Sequence, residues 1–409
     1  MRSIRDIYKI GRGPSSSHTM GPEAASRLFR GEHPEAERFR VVLYGSLSKT
    51  GRGHGTDRAI MAAMDPLPTE VEFSAEEPED MKHPNTMDLF AYAGGEETGR
   101  MRVYSIGGGD IAVEGRERED KHEGEIYLEN SFAEIRQFCE YRYIDLVEYI
   151  SINEGDEIWE YLATVWETMQ RAVEAGLSKE GILPGGLKIE RKAKRLYNKV
   201  LETAHPEVLE CQKVCSYAFA VGEENADNGV IVTAPTCGAS GVLPAVLYYL
   251  RQKRKVTDEQ IIHALGVAGL FGELAKKNAS VSGAECGCQA EVGVACAMAA
   301  AAAGYIFGYE LNQIEYSAEI ALEHHLGLTC DPICGLVQVP CIERNAVAAM
   351  RALNSANLAF FLEGTRRISY DMVIKSMYRT GLDMNQRYRE TAEGGIAAAF
   401  ARRGGRRSG

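Results

Sequence analysis

With 409 residues, 45% of them hydrophobic and 25% charged, the chain can bury a large core and fold as two or more domains of an ordinary globular protein. A net charge of −12 argues against a nucleic-acid partner. Ten cysteines without a disulfide-framework spacing point to a reducing compartment, with the cytoplasm as the default, and Arg2, Arg5 and Lys9 precede no apolar run that would form a signal peptide.

Residues 11–22 read G-R-G-P-S-S-S-H-T-M-G-P, and Pro22 suits the first turn of a helix through Arg30. Ser15, Ser16, Ser17 and Thr19 are placed either to hold a small anion at that helix end or only to cap it, and His18 shares the ambiguity. Arg40 to Tyr44 has the β-branched and aromatic character of a strand and runs into G-S-L-S-K-T-G-R-G-H-G-T-D at 45–57. We read this stretch as a Gly-rich loop without P-loop order, with His54 exposed between Gly53 and Gly55 as an acid–base candidate. Further strands are expected at 70–73, 87–92 and 101–106, joined by tight turns at 83–86 and 107–110.

These elements form a small α/β domain over residues 1–130, followed by connecting helices at 131–180. Ile158, Leu162, Val165, Trp166, Met169 and Val173 recur at three- and four-residue steps, giving one apolar helix face. Residues 181–409 read as a larger, all-helical domain, with helices near 189–203, 207–223, 241–253, 258–276, 289–306, 311–325, 341–363 and 370–383. The fold class is therefore α+β. A Gly-rich segment ending in P-T-C-G-A-S-G interrupts the helices at 225–241 and is either an anion-binding turn or a plain loop. Val292 to Tyr309 is uncharged but dominated by Ala and Gly, which fits a buried helix and no membrane span. The basic tail 402–409 is expected to be disordered.

Six of the ten cysteines lie between Ser282 and Asn345. Cys288 stands at the mouth of the Ala-rich helix, Cys341 follows Pro340 at the start of another, and Cys330 sits in the turn Thr329-Cys330-Asp331-Pro332. A helix N-terminus lowers a thiol's pKa, and converging thiolates suit an iron–sulfur cluster or zinc. Small buried core residues fit the spacing equally well, and Cys286, Cys296 and Cys334 take that reading.

Taken together, G-P-S-S-S-H-T-M-G-P, G-S-L-S-K-T-G-R-G-H-G-T-D, S-I-G-G-G, T-A-P-T-C-G-A-S-G, S-G-A-E-C-G-C-Q-A-E-V-G, E-H-H-L-G-L-T-C-D-P and V-Q-V-P-C-I-E-R-N-A resemble the iron–sulfur-dependent bacterial L-serine dehydratases in their single-chain form, β domain first and α domain second. The resemblance spans nearly the whole chain. It implies a cytoplasmic lyase of amino-acid degradation and gluconeogenesis that turns L-serine into pyruvate and ammonia without pyridoxal phosphate. It also implies a [4Fe–4S] cluster on Cys288, Cys330 and Cys341, and a homodimer with no nucleic-acid or membrane partner.

His54 is the preferred base in this reading, with His18 and His83 as further active-site histidines. Ser15, Ser16, Ser17, Thr19, Asn85, Thr236 and Gly238 are the expected substrate contacts. The alternatives are β-elimination from L-cysteine or L-threonine, or a non-catalytic metal or redox protein drawing a fourth thiolate from Cys286 or Cys334. The chain departs from the family at Cys237, at the extra Cys286 and in a short 68–83 segment. It also lacks the terminal cysteine that caps the open iron in some relatives, so that iron is expected to be open here.

Overall fold

The computed structural model describes residues 1–116, 124–200, 205–362 and 364–405. The first 113 of these supply six of its seven strands: β1 (Ile10–Arg12), β2 (Arg38–Leu43), β3 (Thr69–Phe73), β4 (Thr86–Ala93), β5 (Glu96–Gly107) and β6 (Asp110–Val113). Five form one sheet in the order β3-β2-β4-β5-β6, with β2 and β3 parallel and the rest antiparallel. Alternation sets the faces: Phe39, Val41, Leu43, Met87, Leu89, Ala91, Met101 and Val103 point to one side. Helices Gly21–Glu32 and Thr56–Met64 cover that side through Ala25, Phe29, Ile60 and Met64. On the opposite face Asp88, almost fully buried, takes two bonds from Arg102, at 2.7 and 3.0 Å.

The rest is a largely helical body, so a mixed α/β region precedes a helical one. At its centre stands Val294–Ile306, in which every residue from Val294 to Gly304 is buried. Its alanines let helices Val242–Arg254, Asp258–Asn278, Leu311–Glu323 and Cys341–Phe361 approach closely on different sides. The stretch Gln289–Ile306 is apolar enough to cross a membrane by composition, yet 83% of it is buried inside this core. Reciprocal caps fix where three helices begin, through Ser131 with Glu134, Asp145 with Glu148, and Thr257 with Gln260. The N-terminus belongs to this body too: Met1, Ile4, Ile7 and Tyr8 are buried in its core, and β1 pairs with β7 (Val230–Val232).

Three expectations need correction. The Gly-rich stretch after β2 is not a loop but helix Gly45–His54, broken from the next helix by Gly55 at φ 64°. The helix expected at 189–203 is reduced to Ala193–Asn198, and 201–203 lie outside the described residues. The basic tail does not begin in disorder, because helix Gly395–Gly405 includes Arg402. Its alanines favour helix, and its start is docked by the Ile396 amide, which donates to Asp331 Oδ2 at 2.7 Å. Residues 406–409 lie outside the described residues.

Candidate active site

Where the sheet region meets the helical body, polar side chains are buried against one another. Residues 16–20 form a single wide turn in which Ser16, Ser17, His18 and Thr19 are all buried, and the Ser15 side chain accepts from the His18 amide at 3.1 Å. Ser105 Oγ on β5 donates to Ser17 O at 2.7 Å. Thr19 Oγ1 donates to His54 O at 2.9 Å, and Thr56 Oγ1 donates to His18 O at 2.5 Å. The hydroxyls of Ser105, Thr19 and Thr56 thus knit the turn to the sheet and to the His54 helix.

His54 is not exposed, as the glycines around it suggested, but fully buried. Its helix packs so closely on the turn at 333–335 that a Cβ on Gly53 would fall 2.8 Å from Gly335 O. His54 Nδ1 lies 3.0 Å from Thr50 O, and a carbonyl can only accept. The proton therefore sits on Nδ1, and Nε2 carries a lone pair with no hydrogen-bond partner. Burial lowers the ring's pKa to about 4, so it is neutral at pH 7. The His18 ring lies 4.5 Å away, centroid to centroid. Burial, then the proximity of His54, lowers its pKa well below the ordinary value, while its nitrogens contact Ser17 Oγ at 3.0 Å and Ser46 Oγ at 3.1 Å.

His83 sits nearer the surface, in a cleft of about 340 Å³ lined by Ser46, Lys49, Glu285 and Arg389. Its Nδ1 accepts from the Asn85 amide at 3.0 Å, and its Nε2 lies 3.3 Å from Glu285 Oε1 without hydrogen-bond alignment. Burial pushes the Glu285 carboxyl up, but His83 and Ser280 outweigh it and hold it below its usual range. Asn85 is fully buried, with Nδ2 donating to Ser105 O at 3.2 Å and Oδ1 left without a partner.

From the helical side come the cysteines. Cys288 precedes the turn Gln289–Gly293, Cys341 is the first residue of its helix, and Cys330 lies in an extended segment bridged to Arg389. Helix ends were expected to lower the thiol pKa values, but burial wins. It pushes Cys288 up to about 11 against Arg344, raises Cys341 with Cys288 adding to it, and raises Cys330 well above its ordinary value, helped by Glu291, Glu390, Cys288 and Cys341.

The three thiols thus share one electrostatic neighbourhood with two buried carboxylates, and Arg344 is the cation that Cys288 and Cys341 both feel. Among the described residues no group of three His, Cys, Asp or Glu closes on one point as a single metal ion requires. The thiols lie near enough to raise one another's pKa values, and once deprotonated they would suit a larger cationic core with an iron for each sulfur. The residues therefore fit an iron–sulfur cluster. Cys286 is fully buried and packs against Gly381, where a Cβ would fall 2.7 Å from its Sγ, while Cys334 is exposed on a turn at φ 56°.

The turn at 235–241 completes the wall. Asn345 Nδ2 donates to Gly238 O at 2.7 Å and to Cys341 O at 2.8 Å, while its Oδ1 accepts from the Gly241 amide at 2.9 Å. Buried Thr236 Oγ1 has no aligned partner, and a Cβ on Gly238 would meet Glu291 Oε1 at 3.5 Å.

Glu291, Glu390, Arg344 and Ser46 were missed as site residues from the sequence. The first two are the buried carboxyls, driven toward their neutral forms: burial pushes Glu291 up to about 7, and burial followed by Glu291 raises Glu390 well above its usual range. Glu291 and Arg344 stand inside motifs whose cysteines drew the attention. Glu390, far along the chain, had no such signal.

Known proteins match this chain over nearly its whole length. The model described as serine dehydratase beta chain matches residues 3–77, and that described as serine dehydratase alpha chain matches 69–397. The L-serine dehydratase of Streptomyces coelicolor is 40% identical over 97% of this chain and 98% of its own length. L-serine dehydratase 2 of Escherichia coli K12 is 41% identical over 97% and 98%. That of Mycobacterium tuberculosis is 39% identical over 98% of both. Both chain types of the family follow one another here in a single polypeptide, and the chain belongs to the serine dehydratase (L-serine ammonia-lyase) family.

Proposed function

We propose that this enzyme converts L-serine to pyruvate and ammonia at the junction just described. The observation that carries the reading is the pairing of an unprotonated, unpartnered His54 Nε2 with a wall of three thiols, Cys288 and Cys330 buried and Cys341 partly so. Removing a weakly acidic Cα proton needs a positioned base, and a base must offer a free lone pair. His54 Nε2 takes that proton. His18, already engaged by Ser17 and Ser46, holds the neighbouring hydroxyls in place, and His83 with Glu285 lines the approach. Ser15, Ser16, Ser17, Thr19, Asn85, Thr236 and Gly238 provide hydroxyl, amide and backbone contacts for the substrate carboxylate.

Cys288, Cys330 and Cys341 would hold a [4Fe–4S] cluster, which would supply Lewis-acid assistance to loss of the substrate hydroxyl. The enamine product tautomerises and hydrolyses in water. The same proposal includes a cytoplasmic homodimer. The test is anaerobic purification with iron and sulfide analysis, then pyruvate or oxoacid assay on L-serine, L-threonine and L-cysteine. Turnover of serine well ahead of the others is the expected result. A preference for threonine or cysteine moves the substrate, and iron without turnover of any of them sinks the catalytic reading.

A further inference from the structure

Glu390 is placed as no structural carboxylate needs to be. It comes from the C-terminal segment, after every helix of the core, and its side chain ends between the histidines and the cysteines. Oε1 lies 3.4 Å from His18 Nδ1 and 4.0 Å from His54 Nε2, and Oε2 is buried with no partner at all. The backbone is pinned on both sides: its amide donates to Cys330 O at 2.8 Å, and its carbonyl accepts from Ser46 Oγ at 2.8 Å. The residue is held at φ 57°, a conformation that costs a non-glycine residue energy and clusters at functional sites.

Its only ion-pair neighbours among the described residues are the two histidines, both neutral at pH 7. The adjacent Arg389 turns its guanidinium to Glu285 O at 3.1 Å. Glu291, the other buried carboxylate, already has Cys330 Sγ at 3.7 Å and Thr236 beside it. A buried carboxyl oxygen left bare in a preformed site is costly unless a ligand supplies the missing partner, and a cation there would favour the ionised form.

We propose that Glu390 receives the α-ammonium of the amino-acid substrate. This rests on the reading of the site given above, in which His54 Nε2 takes the Cα proton. The proton and the ammonium hang on the same carbon, so a group that holds one must lie beside the group that takes the other. Glu390 is the carboxylate beside His54 Nε2. The assignment gives the site a selection rule: 2-amino acids bind, and the corresponding acids without the amino group do not.

The test uses the anaerobically prepared holoenzyme and two ligands that cannot lose a β-hydroxyl. L-Alanine and propionate differ by the ammonium alone, and calorimetric titration reads their binding without turnover. Wild-type protein should bind L-alanine more tightly than propionate by roughly tenfold to a hundredfold, the worth of a hydrogen bond to a charged group. Glu390→Gln should lose that factor for L-alanine and leave propionate unchanged, with iron content intact. Equal loss of both ligands, or undiminished alanine binding, overturns the proposal. If Glu390→Gln loses iron or fold, Glu390→Asp decides instead, since its retracted carboxylate should keep a reduced preference, and a full preference counts against the assignment. Wild-type protein that forms no pyruvate from L-serine would fault the reaction reading, whereas pyruvate formation without an alanine preference faults Glu390 alone.

Discussion

His54 Nδ1 sits 3.0 Å from the carbonyl oxygen of Thr50, one turn back along the same helix, and this contact decides which ring nitrogen is free. Because the donor must be Nδ1, the lone pair faces the junction. His54→Ala should therefore keep the cluster and bind substrate, yet lose both solvent exchange of the α-proton and pyruvate formation, a loss on the order of 10²–10⁴-fold. Exchange by proton NMR in deuterated buffer is the measurement. Retained exchange would hand the base role to His18 or His83.

The three cysteines stand on different elements, so each can be removed without unravelling the others. Cys288→Ser, Cys330→Ser and Cys341→Ser should each strip iron and activity. Cys296→Ser is the control: its thiol is buried on Ala348 O at 3.2 Å, away from the junction, and the variant should show modest packing loss with full iron content. Iron and acid-labile sulfide per chain, measured anaerobically, separate the two classes.

Asn345 ties the 235–241 turn to the helix that begins at Cys341. Asn345→Ala leaves the Gly241 amide and the Gly238 carbonyl without that side chain and should cost about 1–3 kcal/mol in urea unfolding. The variant should also lose iron more quickly in air than wild type. Unchanged stability would mean that the turn holds its shape unaided.

Acid should destabilise the fold through His325, which burial holds neutral with a pKa of about 4 against an ordinary 6.5. Between those values the unfolded chain binds a proton that the folded one does not, so stability rises with pH across this window and is lost as pH falls through it. The contribution is at most roughly 3 kcal/mol. Denaturation midpoints followed from pH 7 to 4 should fall more steeply for wild type than for His325→Gln.

Helix Gly395–Gly405 is docked at its start by Asp331 and exposed at Ala401 and Arg402. Truncation after Phe400 should leave turnover within about twofold, whereas truncation after Glu393 removes the Ile396 contact to Asp331 and should lower iron retention. Comparable activity in both truncations would show that this contact has no role in holding the Cys330 segment.

Much of the fold was legible in the residues. The β-branched and aromatic residues of Arg38–Leu43, and period-3.6 patterning in Glu157–Ser178, are local signals of elements with a face to bury. Hence a sheet region followed by a helical body is readable from the residue pattern alone. Glycines misled at 45–54, because a helix tolerates Gly51 and Gly53 when close packing on Thr56, Phe73 and Gly335 requires them. Motif likeness singled out cysteines and histidines, since those residue types carry their chemistry wherever they stand.

What sequence alone left open is everything set by long-range proximity and burial. The exposure of His54, the direction of the thiol pKa values and the nitrogen that holds the proton all follow from neighbours distant in the chain or from packing. Glu390 makes the case most plainly. Nothing in R-E-T at 389–391 distinguishes it from a surface carboxylate, and only the folding of the C-terminal segment onto Cys330 and Ser46 carries it more than 300 residues back, to His18 and His54. A carboxylate takes its meaning from the dielectric and the charges around it, and those exist only once the chain has closed.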